Sequence, residues 1–217
     1  MIVGNGLIAK SFLKKYGKDN NIIIFASGVS NSKETNPDNF KREEDLLVSF
    51  LKTYPQIKFI YISTILIGYK TNQYYTHKKE MEKLISKHSK DYIIFRVPQL
   101  IGSSGNSNNI VNYLVNRIAS GKSFEVYGGV KRSILDVVDL VNLVGYCKDI
   151  ITCETVNVGG IETVSVIDLS KIIQYFFGVG MESLKMVIKD VNEDDGWTLS
   201  SSPIFKEYLT EFKIEST

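Results

Sequence analysis

The sequence predicts a doubly wound parallel α/β sheet of Rossmann type, and three observations carry that prediction. A short apolar strand passes through a glycine turn into an amphipathic helix at the start of the chain. Beyond it, continuous apolar runs of strand length alternate with segments of helical periodicity. Parallel strands are covered on both faces, so they read as unbroken apolar runs, and their crossovers need helices.

Taken in order, Met1 to Val3 reads as a very short strand, Gly4-Asn5-Gly6 as a turn and Leu7 to Tyr16 as a helix. Asn21 to Ala26 is a buried strand, followed by a polar loop from Ser27 to Asn39 and a helix from Phe40 to Tyr54. Lys58 to Ile62 is a further strand, Tyr74 to His88 a long charged helix and Tyr92 to Arg96 another strand. The second half predicts helices at Ile110 to Ser120, Val137 to Ile150 and Val164 to Phe177, the last ending at Gly178, with a strand at Ser123 to Val126. The tail from Lys189 to Thr217 is polar with scattered aromatics, and neither it nor Trp197 receives an element. Residues 1–105 are read mainly as a dinucleotide-binding core and 106–217 mainly as a small substrate lobe, one or more of whose segments return to the sheet.

At 217 residues, 43% hydrophobic and 23% charged, the chain can bury a full core. A net charge of +2, with both signs interspersed, argues against a nucleic-acid surface. Cys147 and Cys153 have no histidine near them in sequence, which argues against a metal site or a disulfide framework. No stretch reaches the roughly 20 apolar residues of a membrane span, so the expectation is a soluble, cytoplasmic protein without a membrane partner.

Gly4-Asn5-Gly6-Leu7-Ile8-Ala9 fits G-x-G-x-x-G/A between strand and helix. Small residues there let the backbone approach a pyrophosphate at a helix N-terminus, which makes Gly4, Gly6, Leu7 and Ile8 candidate cofactor contacts. A tight turn with a closely packed helix would use the same residues. The acidic residue expected about 20 residues further on is missing. That region reads Phe25-Ala26-Ser27-Gly28, which leaves NAD and NADP both open.

Tyr74 and Lys78 stand four apart, one turn from each other on a helix face. An ammonium held beside a phenol favours the phenolate, so Lys78 is expected to lower the Tyr74 pKa and make it an acid or base near neutrality. Ser63 and Thr64 end a buried strand and can aim a hydroxyl at the same substrate oxygen. Tyr75 with Lys79 is the competing register, and a solvated charged helix is the plain alternative.

From Met1 to about Gly178 the chain resembles the extended short-chain dehydrogenase/reductases of the NAD-dependent epimerase/dehydratase family, which modify nucleotide-activated sugars. Ile60 to Gly68 resembles the strand that ends in the active-site Ser/Thr, and Tyr74 to Glu82 the Y-x-x-x-K-x-x-x-E helix. Phe95 to Gly102 is similar to the strand and loop in which residues after the proline, here Pro98, meet the nicotinamide. Val126 to Asp139 resembles the segment with a phosphate-binding arginine, here Arg132, and Val156 to Gly160 the strand and loop before the last shared helix.

The resemblance implies catalysis by Tyr74, Lys78 and Ser63 or Thr64, with the cofactor held by the glycine turn, Ala26, Ser27, Gly28, Tyr74, Lys78 and Pro98. It carries Asn109 and Arg132 as substrate contacts, although Asn just before a helix commonly caps it. Arg96 reads as structural, and Arg132 paired to Asp136 or Asp139 is the plain alternative for that residue. A homodimer through the Phe40 and Tyr74 helices is a further expectation from resemblance.

Two departures narrow the chemistry. The Phe25 to Ser30 segment resembles the family's fourth strand more than its second, as if the two strands flanking the adenine pocket were deleted. Ile65 and Leu66 stand where dehydratases carry Asp-Glu, which disfavours elimination. What remains is an NAD(P)-dependent enzyme that reduces a 4-keto-deoxysugar on a nucleotide, with a 4-epimerase or a non-catalytic dinucleotide- or nucleotide-sugar-binding protein as alternatives.

Overall fold

Five parallel strands form the central sheet among the described residues of the computed structural model, which are 1–102, 109–159, 163–180, 185–189, 202–204 and 207–208. The first half runs β1 (Ile2–Val3), α1 (Leu7–Tyr16), β2 (Ile22–Phe25), α2 (Pro37–Thr53), β3 (Lys58–Thr64), α3 (Gln73–His88) and β4 (Tyr92–Val97). Then come β5 (Gln99–Ile101), α4 (Ile110–Ala119), β6 (Phe124–Tyr127), β7 (Lys131–Arg132) and β8 (Ile134–Asp136). The chain continues through α5 (Val137–Cys147), β9 (Glu154–Asn157), β10 (Val164–Ser165), α6 (Val166–Phe176) and β11 (Met186–Lys189). Asn108, Gly160, Trp197 and most of the tail lie outside the described residues.

Sheet order is β1-β2-β3-β4-β9, all parallel, with Ile24 opposite Ile2 and Ile60, and Ser63 opposite Arg96. Alternation along the strands divides the core between two faces. On one face Phe12 and Tyr16 of α1 and Leu140 and Val144 of α5 pack on Ile24, Ile60, Ile62 and Phe95. On the other, Leu47 and Leu51 of α2 and Met81 and Ile85 of α3 pack on Phe25, Phe59 and Tyr61. Each such fully buried Phe, Leu or Ile contributes about 1.5–3 kcal/mol. A separate core joins α4 and α6 through Leu114, Ile118, Leu169 and Ile173 to Phe124 and Val126 of β6.

The glycine strand β1 sits at the sheet edge, where the absence of the two adenine-side strands that the resemblance suggests would leave it. The crossovers agree with that absence. The steps β1 to β2 and β2 to β3 advance in the same direction, yet α1 covers one face and α2 the other. The two crossovers therefore have opposite hands, against the strong preference for a single, right-handed one. An α1 crossover leading to strands on the far side of β1 would have the same hand as the next.

The structure adds short strands that the periodicity does not reveal. β5 pairs with β8, β7 with β10 and β6 with β11, and the last pair ends at Lys189, where the unassigned tail begins. α5 ends at Cys147 rather than Ile150, and α6 begins at Val166 because Val164 and Ser165 pair with β7 while Ser165 caps the helix. No helix among the described residues is long and apolar enough to cross a membrane.

Candidate active site

All five strands of the central sheet end on one side, and in open α/β sheets ligands bind in the crevice beyond the carboxyl ends of the strands. At β1 that end is the glycine turn. Gly4 has φ +127°, and a Cβ there would stand 2.5 Å from the Ala26 carbonyl oxygen. Gly4→Ala should cost about 1–3 kcal/mol in backbone strain alone, read as a lower midpoint in urea unfolding.

Side-chain caps close α2 (Asn36), α3 (Asn72), α4 (Asn109), α5 (Asp136) and α6 (Ser165), but α1 opens at Gly6 with none. A Cβ on Gly6 would meet nothing within 4 Å. A phosphate at this uncapped end would satisfy first-turn N–H groups of α1, beginning at Leu7 and Ile8.

At the end of β3 the two hydroxyl candidates have different surroundings. Ser63 continues the alternation of Phe59 and Tyr61, which face α2 and α3. Its Oγ is buried with no hydrogen-bond partner among the described residues. Thr64 is half-buried, and its Oγ1 accepts a 3.3 Å hydrogen bond from the Leu66 N–H. Ile65 is buried and stands near Pro98 and Ser133 around Gly159, where a Cβ would meet Ile65 Cδ1 at 3.3 Å, Ser133 Oγ at 3.3 Å and Pro98 Cβ at 3.5 Å. This part of the crevice offers no carboxylate from residue 65.

On α3 the register falls as Tyr74 with Lys78, both buried, whereas Lys79 is exposed. The Lys78 Nζ lies 5.7 Å from the centre of the Tyr74 ring. It does not, however, lower the tyrosine's pKa as expected from spacing. Burial first, then Tyr75 and the Glu43 carboxylate, push the Tyr74 phenol well above 10. Lys78 itself is engaged elsewhere. Its ammonium donates to Glu43 Oε1 at 2.9 Å and Oε2 at 3.3 Å, and to the Tyr61 hydroxyl at 3.1 Å.

Glu43, on α2, is wholly buried and is the hub of this cluster. It also accepts from the Tyr61 hydroxyl at 2.7 Å and the Val29 N–H at 2.6 Å, and His77 Nε2 lies 3.1 Å from its Oε2. Burial acts to raise the Glu43 carboxyl, but the Lys78 charge, with His77 and the Val29 N–H, outweighs it and holds the group well below the carboxylate range. A Cβ on Gly28 would come within 2.5 Å of Lys78 Nζ and 2.9 Å of Glu43 Oε1, so that backbone closes directly over the pair. Sequence reasoning missed Glu43 and Tyr61. A signal for Glu43 exists: it shares the four-residue spacing of Leu47 and Leu51, so the apolar stripe of α2 carries one carboxylate.

The remaining candidates divide between structure and site. Arg96 binds Glu82 through Nε at 3.0 Å and Nη2 at 2.5 Å, which is the structural role expected of it. Asn109 caps α4, accepting from Val111 N–H, and donates to the Leu100 carbonyl oxygen at 2.5 Å, so its side chain is largely taken up by protein groups. Arg132, half-buried on β7, acts electrostatically on Tyr75, which Ser32 also hydrogen-bonds, and this brings the lobe arginine toward the N-terminal end of α3. Pro98 is half-buried at the end of β4.

Solved structures share this architecture. A dTDP-4-dehydrorhamnose reductase from Clostridium acetobutylicum superposes with a TM-score of 0.66 at 15% identity, covering 98% of this chain and 91% of its own. A dTDP-glucose 4,6-dehydratase from Bacillus anthracis in complex with NAD gives 0.68 at 17% identity, over 94% of this chain and 70% of its own. A UDP-glucose 4-epimerase from Thermus thermophilus, also with NAD, gives 0.67 at 12%, over 94% and 76%. Comparison with curated protein sequences gives no match. At these identities the structural likeness establishes the fold. Family membership rests on the sequence itself, because residues 22–159, more than half of the chain, match the NAD dependent epimerase/dehydratase family, and the chain belongs to that family.

Proposed function

We propose that the protein is an NAD(P)-dependent oxidoreductase that reduces a 4-keto-deoxysugar carried on a nucleotide. The observation that carries this reading is the Ser63 hydroxyl, buried at the carboxyl end of β3 with no hydrogen-bond partner among the described residues, on the sheet face that α3 covers. A buried hydroxyl left unpaired costs about 1–3 kcal/mol, and a ligand oxygen in the crevice would remove that cost. Support also comes from the likeness to a reductase chain of which this chain spans 91%.

The residues present fit the phosphate end of a dinucleotide: Gly4 and Gly6 clear the approach, and the uncapped start of α1 offers Leu7 and Ile8 N–H groups. Ala26, Ser27 and Gly28 with Pro98 would flank the rest. When bound, the reduced cofactor supplies hydride. The chain's own part is to hold the ketone with Ser63 or Thr64, to give the Tyr74 phenol proton to the developing alkoxide, and to clamp the diphosphate with Arg132. A phenol held above its ordinary pKa is protonated at neutral pH, and the alkoxide, the stronger base of the two, can take its proton, although less readily than from a phenol whose pKa lies nearer the working pH. Epimerisation through oxidation of a hydroxyl needs the tyrosine first as a base, which this environment opposes.

Mixing the protein with NADPH or NADH and a panel of nucleotide 4-keto-sugars, and following the reduced-nicotinamide absorbance, tests the reading. Consumption supports it. Silence with measurable cofactor binding favours the second reading, a non-catalytic binding member, which the edge position of β1 and the engaged Lys78 also favour. Ser63→Ala should lower kcat by about 100-fold, the scale of a lost donor to a developing oxyanion. It should not lower the urea midpoint and should raise it, since the buried hydroxyl has no partner to lose among the described residues and its removal relieves the cost of leaving it unpaired.

A further inference from the structure

α6 distributes its residues unlike a helix that has one core to cover. On the side that packs with α4 and β6, beside Val166, Leu169 and Ile173, it buries Ser170 and Gln174 at 0% and 1% exposure. Both donate to nearby backbone, Ser170 Oγ to the Val166 carbonyl oxygen at 2.7 Å and Gln174 Nε2 to that of Gly180 at 2.8 Å. The outward side carries Ile172, Tyr175 and Phe176 at the i, i+3, i+4 spacing of one stripe, 48%, 84% and 80% exposed, and Phe177 follows at 49%. Among the described residues, no large exposed apolar side chain lies on α2 or α3, which present the exposed ion pairs Lys41–Asp45 and Lys83–Glu80 instead.

We infer that the outer stripe of α6 is the interface between two copies of this chain, paired about a two-fold axis. Area, charge and form choose that occupant. An aromatic side chain buries roughly 150–250 Å², so Tyr175, Phe176 and Phe177 at their exposures leave on the order of 300–500 Å² open per copy. Covering it on both copies removes roughly 600–1,000 Å² before Ile172 and flanking contacts are added, up to the size that a specific interface must clear. The charges that share the outward side, Asp168 and Lys171, are opposite in sign and 3.8 Å apart, and the last turn holds no basic residue. A membrane surface calls for a cationic rim, whereas a neutral patch meets its own copy without repulsion. A stripe on one helix is also self-complementary, because a two-fold axis sets the same residues of both copies against each other.

Such a partner would brace the substrate lobe. α6 follows directly on β10, where Val164 stands opposite Arg132 of β7, and the Val166 N–H bonds to the Val130 carbonyl oxygen at 3.1 Å. The pairing does not depend on the reductase reading.

Sedimentation equilibrium of the full chain, without cofactor or substrate, tests it. The unaltered protein is expected at twice the chain mass at micromolar concentration. Tyr175→Lys with Phe176→Lys should run at the chain mass, its dimer weakened about 100-fold or more. Lysines suit the last turn of a helix, so this variant should keep the circular-dichroism spectrum of the unaltered protein. Lys41→Glu with Lys83→Glu, on α2 and α3, should leave the dimer intact. A chain that is monomeric at every concentration overturns the inference, including one that binds lipid vesicles as a monomer. So does a dimer that survives both lysines on α6, or one that the α2 and α3 changes split. Should the double lysine variant fail to fold, Tyr175→Ala at its 84% exposed site takes its place. That truncation should weaken the dimer about 10-fold or more, and unchanged association overturns the inference.

Discussion

Tyr74→Phe should bind NADPH or NADH as the unaltered protein does and turn over a nucleotide 4-keto-sugar at least about 100-fold more slowly, the usual worth of a positioned general acid. The effect is expected to fall on kcat. The lost group is one hydroxyl, its ring packs with Val29 and Tyr75, and phenylalanine keeps that ring. Stopped-flow or steady-state absorbance with a cofactor-binding titration on the same preparation separates chemistry from binding. Turnover within a few fold of the unaltered protein would remove Tyr74 from the mechanism.

The second large effect is on stability. Glu43→Ala removes the partner of a buried ammonium and leaves Lys78, Tyr61 and the Val29 N–H without their acceptor. Breaking a buried pair from one side costs about 3–5 kcal/mol, and at this chain length Tm should fall by roughly 10 °C or more. The dependence on pH follows from the direction of the shift. The Glu43 carboxyl in the folded protein titrates below its ordinary value of 4.5, so its stabilisation is complete above that value and drains away as pH falls beneath it. Urea midpoints measured from pH 7 down to pH 3 should therefore fall less steeply for Glu43→Gln than for the unaltered protein. Equal slopes would mean that Glu43 is not ionised in the fold.

Much of the frame is legible in the chain because each piece carries its own signal. α1 spans Leu7–Tyr16 as read, since its apolar stripe is bounded by Gly6 and Gly17. The runs at β2, β3 and β4 are apolar on both faces and cannot be helices of useful length. The short strands β5, β7, β8, β10 and β11 have two to four residues, and each exists only through a partner supplied from elsewhere. Local periodicity has no purchase on such segments. The site shows the same division. The spacing of Tyr74 and Lys78 is a local fact and was readable, but what Lys78 does with its charge depends on Glu43, and no pattern within α3 points to it. Tyr61 was hidden for another reason, because its ring satisfies the apolar run while its hydroxyl serves the cluster.

The edge position of β1 has a consequence for how the chain comes together. In this sheet β1, β2, β3 and β4 pair in the order in which they are made, so each new strand docks on the one before it and contacts stay near in sequence. By Val97 the face under α2 and α3 has all of its partners. The opposite face does not. There Ile60, Ile62 and Phe95 await Leu140 and Val144, and β4 lacks its outer neighbour until Glu154–Asn157 arrives. During synthesis the growing chain therefore carries a sheet finished on one side and covered only by α1 on the other for roughly 43 to 60 residues, from Val97 to Leu140 and on to Asn157. That interval is where aggregation and chaperone capture should concentrate.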